Sequence, residues 1–142
     1  MRRVVVALTG SASSRTALRW AAARAADRAA TLEVVTAVSL TAFSTGPVGA
    51  ATCLPDRARL VDATMRTQDL VIDEELPERS QRPEIVQTVE FGDLVSVLRD
   101  VTADADLAVL GRGGRRWTRP STRRCLASLP CPVVVVADGR PC

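Results

Sequence analysis

The chain has 142 residues, of which 46% are hydrophobic and 25% charged, and its formal net charge is +3. This length and composition are typical of one globular domain, and we take residues 1–142 as a single domain. All basic residues are arginine, since the sequence contains neither lysine nor histidine. Their absence excludes Ser-His-Asp and Cys-His catalytic arrangements, a P-loop lysine and a Schiff base.

The sequence shows neither a secretory signal nor a membrane span, since polar residues interrupt every apolar run. We therefore expect a cytoplasmic protein in which the cysteines are reduced thiols. Cys125 and Cys131 have no further ligands near them in sequence, so no metal site is expected. Cys131, between two prolines, is interpreted as a small buried packing residue.

Strand and helix patterns alternate along the chain. The continuous apolar run from Arg3 to Leu8 predicts a central parallel strand that is covered on both faces. Later strands are predicted at 32–38, 85–91, 107–110 and 133–137, the third nearer an edge because its polarity is mixed. Helices are predicted at about 55–76, from 92–93 onward, and at 121–129, with a long loop at 39–54.

The first helix is predicted to begin at a cap formed by Ser13 or Ser14 and to end at about Ala30. Its arginines are expected to face solvent. The residues expected to face the core are Leu18, Ala21, Ala22, Ala25 and Ala29.

Short βα units of this kind build a parallel sheet with right-handed crossovers. We therefore predict an α/β fold, a doubly wound five-stranded parallel sheet in the order 3-2-1-4-5 with helices on both faces. The last strand, 132–137, is then a sheet edge with a continuous apolar face, which favours association. We expect a homodimer in which this strand pairs with its symmetry mate.

Ligands of such sheets bind beyond the carboxyl ends of the strands, where the winding reverses. Two glycine-bearing loops meet there, 9–11 and 111–114. Glycine allows main-chain N–H groups to converge, and a nearby helix start adds unpaired N–H groups, so an anion such as phosphate fits. A tight turn alone would also explain the glycines. The predicted binding residues are Thr9, Gly10, Ala37, Gly111, Arg112, Gly114, Arg115, Ser121 and Thr122.

Two charged segments stand out. Six arginines lie between Arg112 and Arg124 with no acid among them, either as a solvated surface or as a phosphate-binding cluster. The acid-rich stretch from Asp69 to Glu90 is interpreted as a solvated helix face followed by a loop. Trp117 is interpreted as a packing or interface residue. Since aromatic residues are only 3% of the chain, nucleic-acid stacking is not supported.

The segments VVVALTGSASSRTALRWAAARAA, LEVVTAV, ADLAVLGRGG and LPCPVVVV resemble the universal stress protein family, over nearly the whole chain. The resemblance implies an adenine nucleotide, ATP above all, as ligand, and often a dimer through the last strand. Family members that bind ATP carry Gly-x-x-Gly, nine residues, then Gly-Ser or Gly-Thr. Gly111 and Gly114 match the first pair.

The remaining nucleotide determinants of the family are altered here. The second element aligns with Arg119-Pro120, which shortens the loop by five residues and removes one backbone donor. Thr9 replaces the acid that usually follows the first strand. Both changes predict weakened nucleotide binding. Ser121 and Thr122 are interpreted as helix caps that can also contact an anion.

Three functions are compatible with the sequence. The first is a non-catalytic stress-response regulator that binds an anionic ligand or adenine nucleotide weakly. The alternative is a ligand-free dimeric interaction module that has lost nucleotide binding. An ATP hydrolase ranks last, because no general base or metal-binding carboxylate is readable near the loop. No catalytic residue is assigned.

Overall fold

The computed structural model describes residues 1–39, 56–113 and 120–137. Within these ranges five strands alternate with four α-helices, and a short 3-10 turn lies at Arg79–Gln81. The strands are β1 (Arg3–Ala7), β2 (Thr31–Val38), β3 (Ile85–Phe91), β4 (Leu107–Gly111) and β5 (Val133–Val136). The helices are α1 (Ala12–Asp27), α2 (Arg57–Glu75), α3 (Leu94–Val101) and α4 (Pro120–Ser128).

The strands form one all-parallel sheet in the order β3-β2-β1-β4-β5, which confirms the predicted topology. β1 is central, and Val4, Val5 and Val6 are completely buried, as the unbroken apolar run predicted. β3 and β5 are the two edges. No helix in the described part of the chain is long and apolar enough to cross a membrane.

Alternate side chains of the strands enter two separate cores. Val4, Val6 and Val34 pack with α1 and α2 on one face of the sheet. Val5 and Val35 pack with α3 and α4 on the other face. The helices therefore cover both sides of the sheet, and the carboxyl ends of β1 and β4 remain as the crevice where the winding reverses.

The ends of α1 differ from the prediction. Its N-cap is Ser11, whose Oγ accepts a hydrogen bond of 3.2 Å from the Ser14 N–H, rather than Ser13 or Ser14, which are buried. The helix ends at Asp27. Ala29 is exposed with φ 52°, so the expectation that it faces the core was wrong. The Ala30 N–H bonds to the Ala25 carbonyl at 2.8 Å, which closes a Schellman turn and buries Ala30 instead.

The acid-rich end of α2 is not simply solvated. Arg15 Nη1 lies 2.7 Å from Glu74, and Arg19 Nη1 lies 3.0 Å from Glu75, so α1 is bridged to α2. Arg82 also contacts Asp73 at 3.2 Å. Exposed pairs of this kind each contribute about 0–1 kcal/mol, so they orient the helices more than they stabilise them.

Cys125 and Cys131 are the cysteines within the described ranges. Cys125 is completely buried against α3, whereas Cys131 is only half-buried, so its interpretation as a buried residue needs correction. Burial raises the pKa of both thiols. Within the described ranges no group of three or more His, Cys, Asp and Glu side chains could hold a metal ion. Residues 40–54 of the loop predicted at 39–54, Trp117 and residues 138–142 lie outside the described residues.

Candidate functional site

The loops after β1 and β4 meet at the reversal of the winding, as predicted. Between them lies a small cavity of about 50 Å³. Its walls carry hydroxyl groups and main-chain atoms of both loops and of the first turn of α4. The lining residues are Ala7, Thr9, Ser11, Leu94, Leu110, Gly111, Gly113, Ser121 and Thr122.

A chain of hydroxyl groups connects the two loops. Thr9 Oγ1 lies 3.1 Å from Ser11 Oγ, which in turn lies 3.2 Å from Ser13 Oγ. The backbone N–H of Gly113 donates to Ser13 Oγ at 2.9 Å. The loop after β4 is therefore hydrogen-bonded to the start of α1, and the Gly113 N–H already has an acceptor inside the protein.

The loop after β1 is fixed by Ser14 at the third position of α1. Ser14 Oγ accepts a bond of 3.2 Å from the Thr9 N–H and donates to the Ser11 carbonyl at 2.8 Å. Gly10 has φ 90°, a left-handed conformation that glycine adopts without strain. These bonds hold the backbone around Thr9 in one conformation.

Gly111 is required by close packing. A Cβ atom at this position would lie 2.6 Å from the Ser13 carbonyl carbon and 2.7 Å from the Ser14 nitrogen. Only glycine allows the end of β4 to approach the first turn of α1 this closely. Gly113, by contrast, has φ 85° and is needed for its backbone conformation.

Ser121 and Thr122 lie within the first turn of α4, which begins at Pro120, so their interpretation as caps was wrong. Proline suits the first position of a helix because its φ is preset and no intrahelical N–H bond is lost there. Thr122 is 5% exposed, and its hydroxyl donates to the Gly111 carbonyl at 3.3 Å. The first-turn N–H groups have no acceptor within an α-helix, which makes this turn favourable for an anion.

The predicted site residues fall into three groups. Thr9, Gly111, Ser121 and Thr122 line the cavity. Gly10 and Arg112 neighbour lining residues in sequence and Ala37 lies in β2, but none of the three lines the cavity; the Arg112 N–H instead bonds to the Val136 carbonyl at 2.9 Å. Gly114 and Arg115 lie outside the described residues.

Sequence reasoning missed five lining residues: Ser11, Gly113, Leu94 and the strand residues Ala7 and Leu110. Ser11 and Gly113 belong to the loops that the sequence brought together, and the spacing of serines at 11, 13 and 14 could have identified the hydroxyl chain. Leu94 carries no such signal, because it belongs to the apolar pattern of α3. No charged side chain is among the described lining residues.

A larger depression of about 220 Å³ lies elsewhere, between α1 and the segment after α2. Its lining mixes alanine, leucine and proline with charged and amide side chains, and of these Arg19 is paired with Glu75 and Arg82 with Asp73. Because these arginines already have partners inside the protein and the depression lies away from the reversal of the sheet, the smaller cavity at the strand ends is the better candidate for a ligand.

Comparison with known proteins places the chain in a family. A model of the Universal stress protein family matches residues 1–137. A comparison with curated proteins finds no match.

Solved structures are similar in fold. Universal stress protein UspA from Lactobacillus plantarum is 19% identical, with a TM-score of 0.73 over 95% of this chain and 97% of that one. A universal stress protein in complex with cAMP is 20% identical, with a TM-score of 0.69 over 97% and 98%. One from Archaeoglobus fulgidus in complex with dAMP is 20% identical, with a TM-score of 0.66 over 96% and 97%. Together with the parallel 3-2-1-4-5 sheet, the match across nearly its whole length shows that this chain belongs to the universal stress protein family.

Proposed function

We propose that this protein is a non-catalytic stress-response regulator that binds a small anionic ligand or an adenine nucleotide weakly. One observation carries the proposal. Hydroxyl groups of Thr9, Ser11, Ser121 and Thr122 converge with the first turn of α4 on one cavity at the reversal of the sheet. Structural neighbours with the same fold are named as complexes with cAMP and dAMP, which supports an adenine nucleotide as ligand.

The chemistry of the cavity supports binding rather than catalysis. Its described lining contains no carboxylate, thiol or arginine, and the sequence has no histidine or lysine. The described lining therefore includes neither a general base nor a metal-binding carboxylate. The hydroxyl and N–H groups can donate hydrogen bonds to phosphate oxygens.

A specific observation favours the second candidate, a dimeric interaction module without a ligand. The cavity measures only about 50 Å³, and the Gly113 N–H is already bonded to Ser13. A pocket for a whole nucleotide is usually several times larger, roughly 300 Å³ or more. In that case the protein would function through the β5 edge, by which two copies of the chain associate.

Calorimetry with AMP, ATP, adenosine and inorganic phosphate at low salt tests the first proposal. Ser121→Trp should fill the cavity and abolish the binding heat, whereas the wild type should bind AMP or ATP more weakly than about 10 µM. Ser128→Trp is the matched control, because Ser128 is also half-buried on α4 but lies at the opposite end of the helix.

The outcomes separate the two candidates. Loss of heat in Ser121→Trp but not in Ser128→Trp supports a ligand site at the strand ends. Equal affinity in both variants would place any ligand elsewhere. If no probe binds and light scattering gives a dimer, the interaction module is the correct function.

A further inference from the structure

The loop carrying Thr9 is connected to α2 by partly buried hydrogen bonds that the binding site itself does not include. β1 ends at Ala7, and the Leu8 N–H continues the backbone bonding to β2, with the Val35 carbonyl at 2.8 Å. The next group, the Leu8 carbonyl, is bonded by a side chain: Thr36 Oγ1 donates to it at 2.9 Å. The peptide that leads into Thr9 is thus oriented by a hydroxyl of β2.

The Thr36 hydroxyl is in turn oriented by Gln68 of α2. Gln68 Nε2 donates to Thr36 Oγ1 at 2.8 Å, so the hydroxyl proton remains directed to the Leu8 carbonyl. The same amide nitrogen also lies 3.3 Å from the Thr88 carbonyl of β3. Gln68 is only 1% exposed, the most buried polar side chain of α2.

An amide buried this deeply is held in place by its hydrogen bonds, because an unsatisfied one is unfavourable in an apolar core. Gln87 adds a bond to the Gln68 side-chain oxygen, at 3.4 Å, and one to the Met65 carbonyl. Gln87 therefore belongs to the same cluster, and its side-chain hydrogen bonds go to α2 rather than to Thr36 or the loop after β1.

We propose that Thr36 and Gln68 are positioning residues for the candidate site: through the Leu8 carbonyl they set the orientation of Thr9 and thereby the affinity for an anion. This deepens the proposed function and rests on it for its effect on affinity. Its structural part does not rest on it, because the order of the Thr9 backbone can be measured without a ligand.

Hydrogen exchange of backbone amides tests the structural part. The Thr9 N–H is bonded to Ser14 Oγ and should exchange slowly in the wild type. Thr36→Val and Gln68→Leu should accelerate its exchange by about tenfold, roughly the effect of one lost hydrogen bond. Thr36→Ser keeps the hydroxyl and should restore the slow rate. The amide of the buried Val6 reports global unfolding and serves as the internal reference.

Gln87→Leu is the matched control, since it removes an amide from the same cluster without touching Thr36. It should lower overall stability but leave the ratio of Thr9 to Val6 exchange unchanged. Calorimetry with AMP and with inorganic phosphate should show about tenfold weaker binding for Thr36→Val and Gln68→Leu, and little change for Thr36→Ser and Gln87→Leu.

The exchange measurement and the calorimetry can each contradict the proposal. Equal Thr9 exchange in Gln68→Leu, Gln87→Leu and the wild type overturns the positioning role. Faster Thr9 exchange with unchanged affinity overturns its link to binding. If the wild type binds neither AMP nor phosphate, the proposed function fails, while the exchange ratios still decide whether Thr36 and Gln68 orient the loop.

Discussion

The backbone N–H of Gly113 donates a hydrogen bond of 2.9 Å to Ser13 Oγ, across 100 residues of sequence. This bond joins the loop after β4 to the first turn of α1. Gly111 lies against the same turn, so closely that no side chain fits between them. Gly111 therefore serves the packing of the protein and Gly113 the bonding of the loop to α1, whatever they contribute to a ligand.

The close contact at Gly111 predicts that one added methyl group lowers the stability of the protein strongly. In Gly111→Ala the new Cβ would lie 2.6 Å from the Ser13 carbonyl carbon, a backbone atom that cannot move aside easily. Overpacking of this kind costs about 1–3 kcal/mol. Urea denaturation should show this loss, together with faster exchange of the Gly113 amide.

Gly10→Ala is the comparison variant. Its Cβ would meet nothing within 4 Å, so only the unfavourable φ of 90° opposes the substitution. We expect a loss of about 1 kcal/mol. If Gly111→Ala loses no more stability than Gly10→Ala, the first turn of α1 can move to accommodate the added Cβ without strain.

The end of α1 predicts a stabilising substitution. Ala29 occupies the left-handed position of a Schellman turn, with φ 52°, where glycine is the usual residue. Ala29→Gly should remove the strain of the Cβ and stabilise the protein by about 0.5–1 kcal/mol. Thermal denaturation measures the effect. Ala23→Gly, at an exposed position inside the same helix, should destabilise by about 1 kcal/mol.

The hydrogen bonds of the Asp106 carboxylate predict a contribution to stability that is lost at acidic pH. Its carboxylate accepts the backbone N–H groups of Arg2 at 2.7 Å and of Arg3 at 3.0 Å, and these bonds lower its pKa. Because the pKa is lower in the folded state, the stabilisation is complete above the unfolded-state value of about 3.9 and is lost as the pH falls through the folded-state value.

In Asp106→Asn the acceptor remains but the charge does not. The variant should be less stable than the wild type at neutral pH, and the difference should shrink below about pH 4. Denaturant titrations between neutral pH and about pH 2.5 measure it. A difference that stays constant over the whole range would exclude a role for the charge of Asp106.

The topology could be predicted because the apolar patterns that determine it are local in the sequence. Val4, Val5 and Val6 form an unbroken apolar run that only a central parallel strand buries on both sides, and α3 shows its apolar positions at helical spacing. Once five βα units are recognised, the reversal of the sheet brings the loops after β1 and β4 together. The position of the candidate site follows from topology alone.

The details of the site could not be predicted, because they depend on contacts between distant segments. Nothing near Gly111 in sequence indicates that its missing side chain makes room for α1. The choice of Ser11 as cap follows from the burial of Ser13 and Ser14 beneath the loop after β4. Gln68 reads as one more position on the inner face of α2, and its bond to Thr36 depends on the pairing of β2 with β3.

The edge strand β5 predicts a homodimer. The carbonyls of Pro132 and Val136 accept bonds from β4, so the backbone groups of Val133 and Val135 point away from β4, toward the sheet edge. We expect these groups to pair with β5 of a second copy, since uncovered apolar edges associate. Light scattering at micromolar concentration should give the mass of two chains.

Val135→Pro provides a specific test of this dimer. Proline removes the N–H that points outward from β5 but leaves the bonds to β4, so the variant should be a folded monomer. Val135→Thr, which keeps the N–H and the β-branched shape, should remain dimeric. A wild-type monomer, or a dimer that persists in Val135→Pro, would contradict pairing through β5.

The last prediction concerns the strength and salt dependence of nucleotide binding. From the family resemblance we expect that Thr9 replaces an acid and that the loop before Pro120 is shortened, and the Gly113 N–H is engaged with Ser13. Each lost hydrogen bond to a charged group is worth about 1.5–3 kcal/mol. Two such losses weaken binding by roughly a hundredfold or more.

The attraction that remains is expected to come from the arginines between positions 112 and 124, of which the described ones, Arg112, Arg123 and Arg124, do not line the cavity. Such long-range attraction is screened by salt, since the Debye length falls from about 10 Å at 0.1 M to about 3 Å at 1 M. The affinity for ATP should therefore drop by more than about tenfold between 0.05 and 0.5 M NaCl. Equilibrium dialysis over this range measures it, with adenosine as the uncharged control. ATP that stays bound through gel filtration in high salt would show that this chain retains a strong nucleotide site.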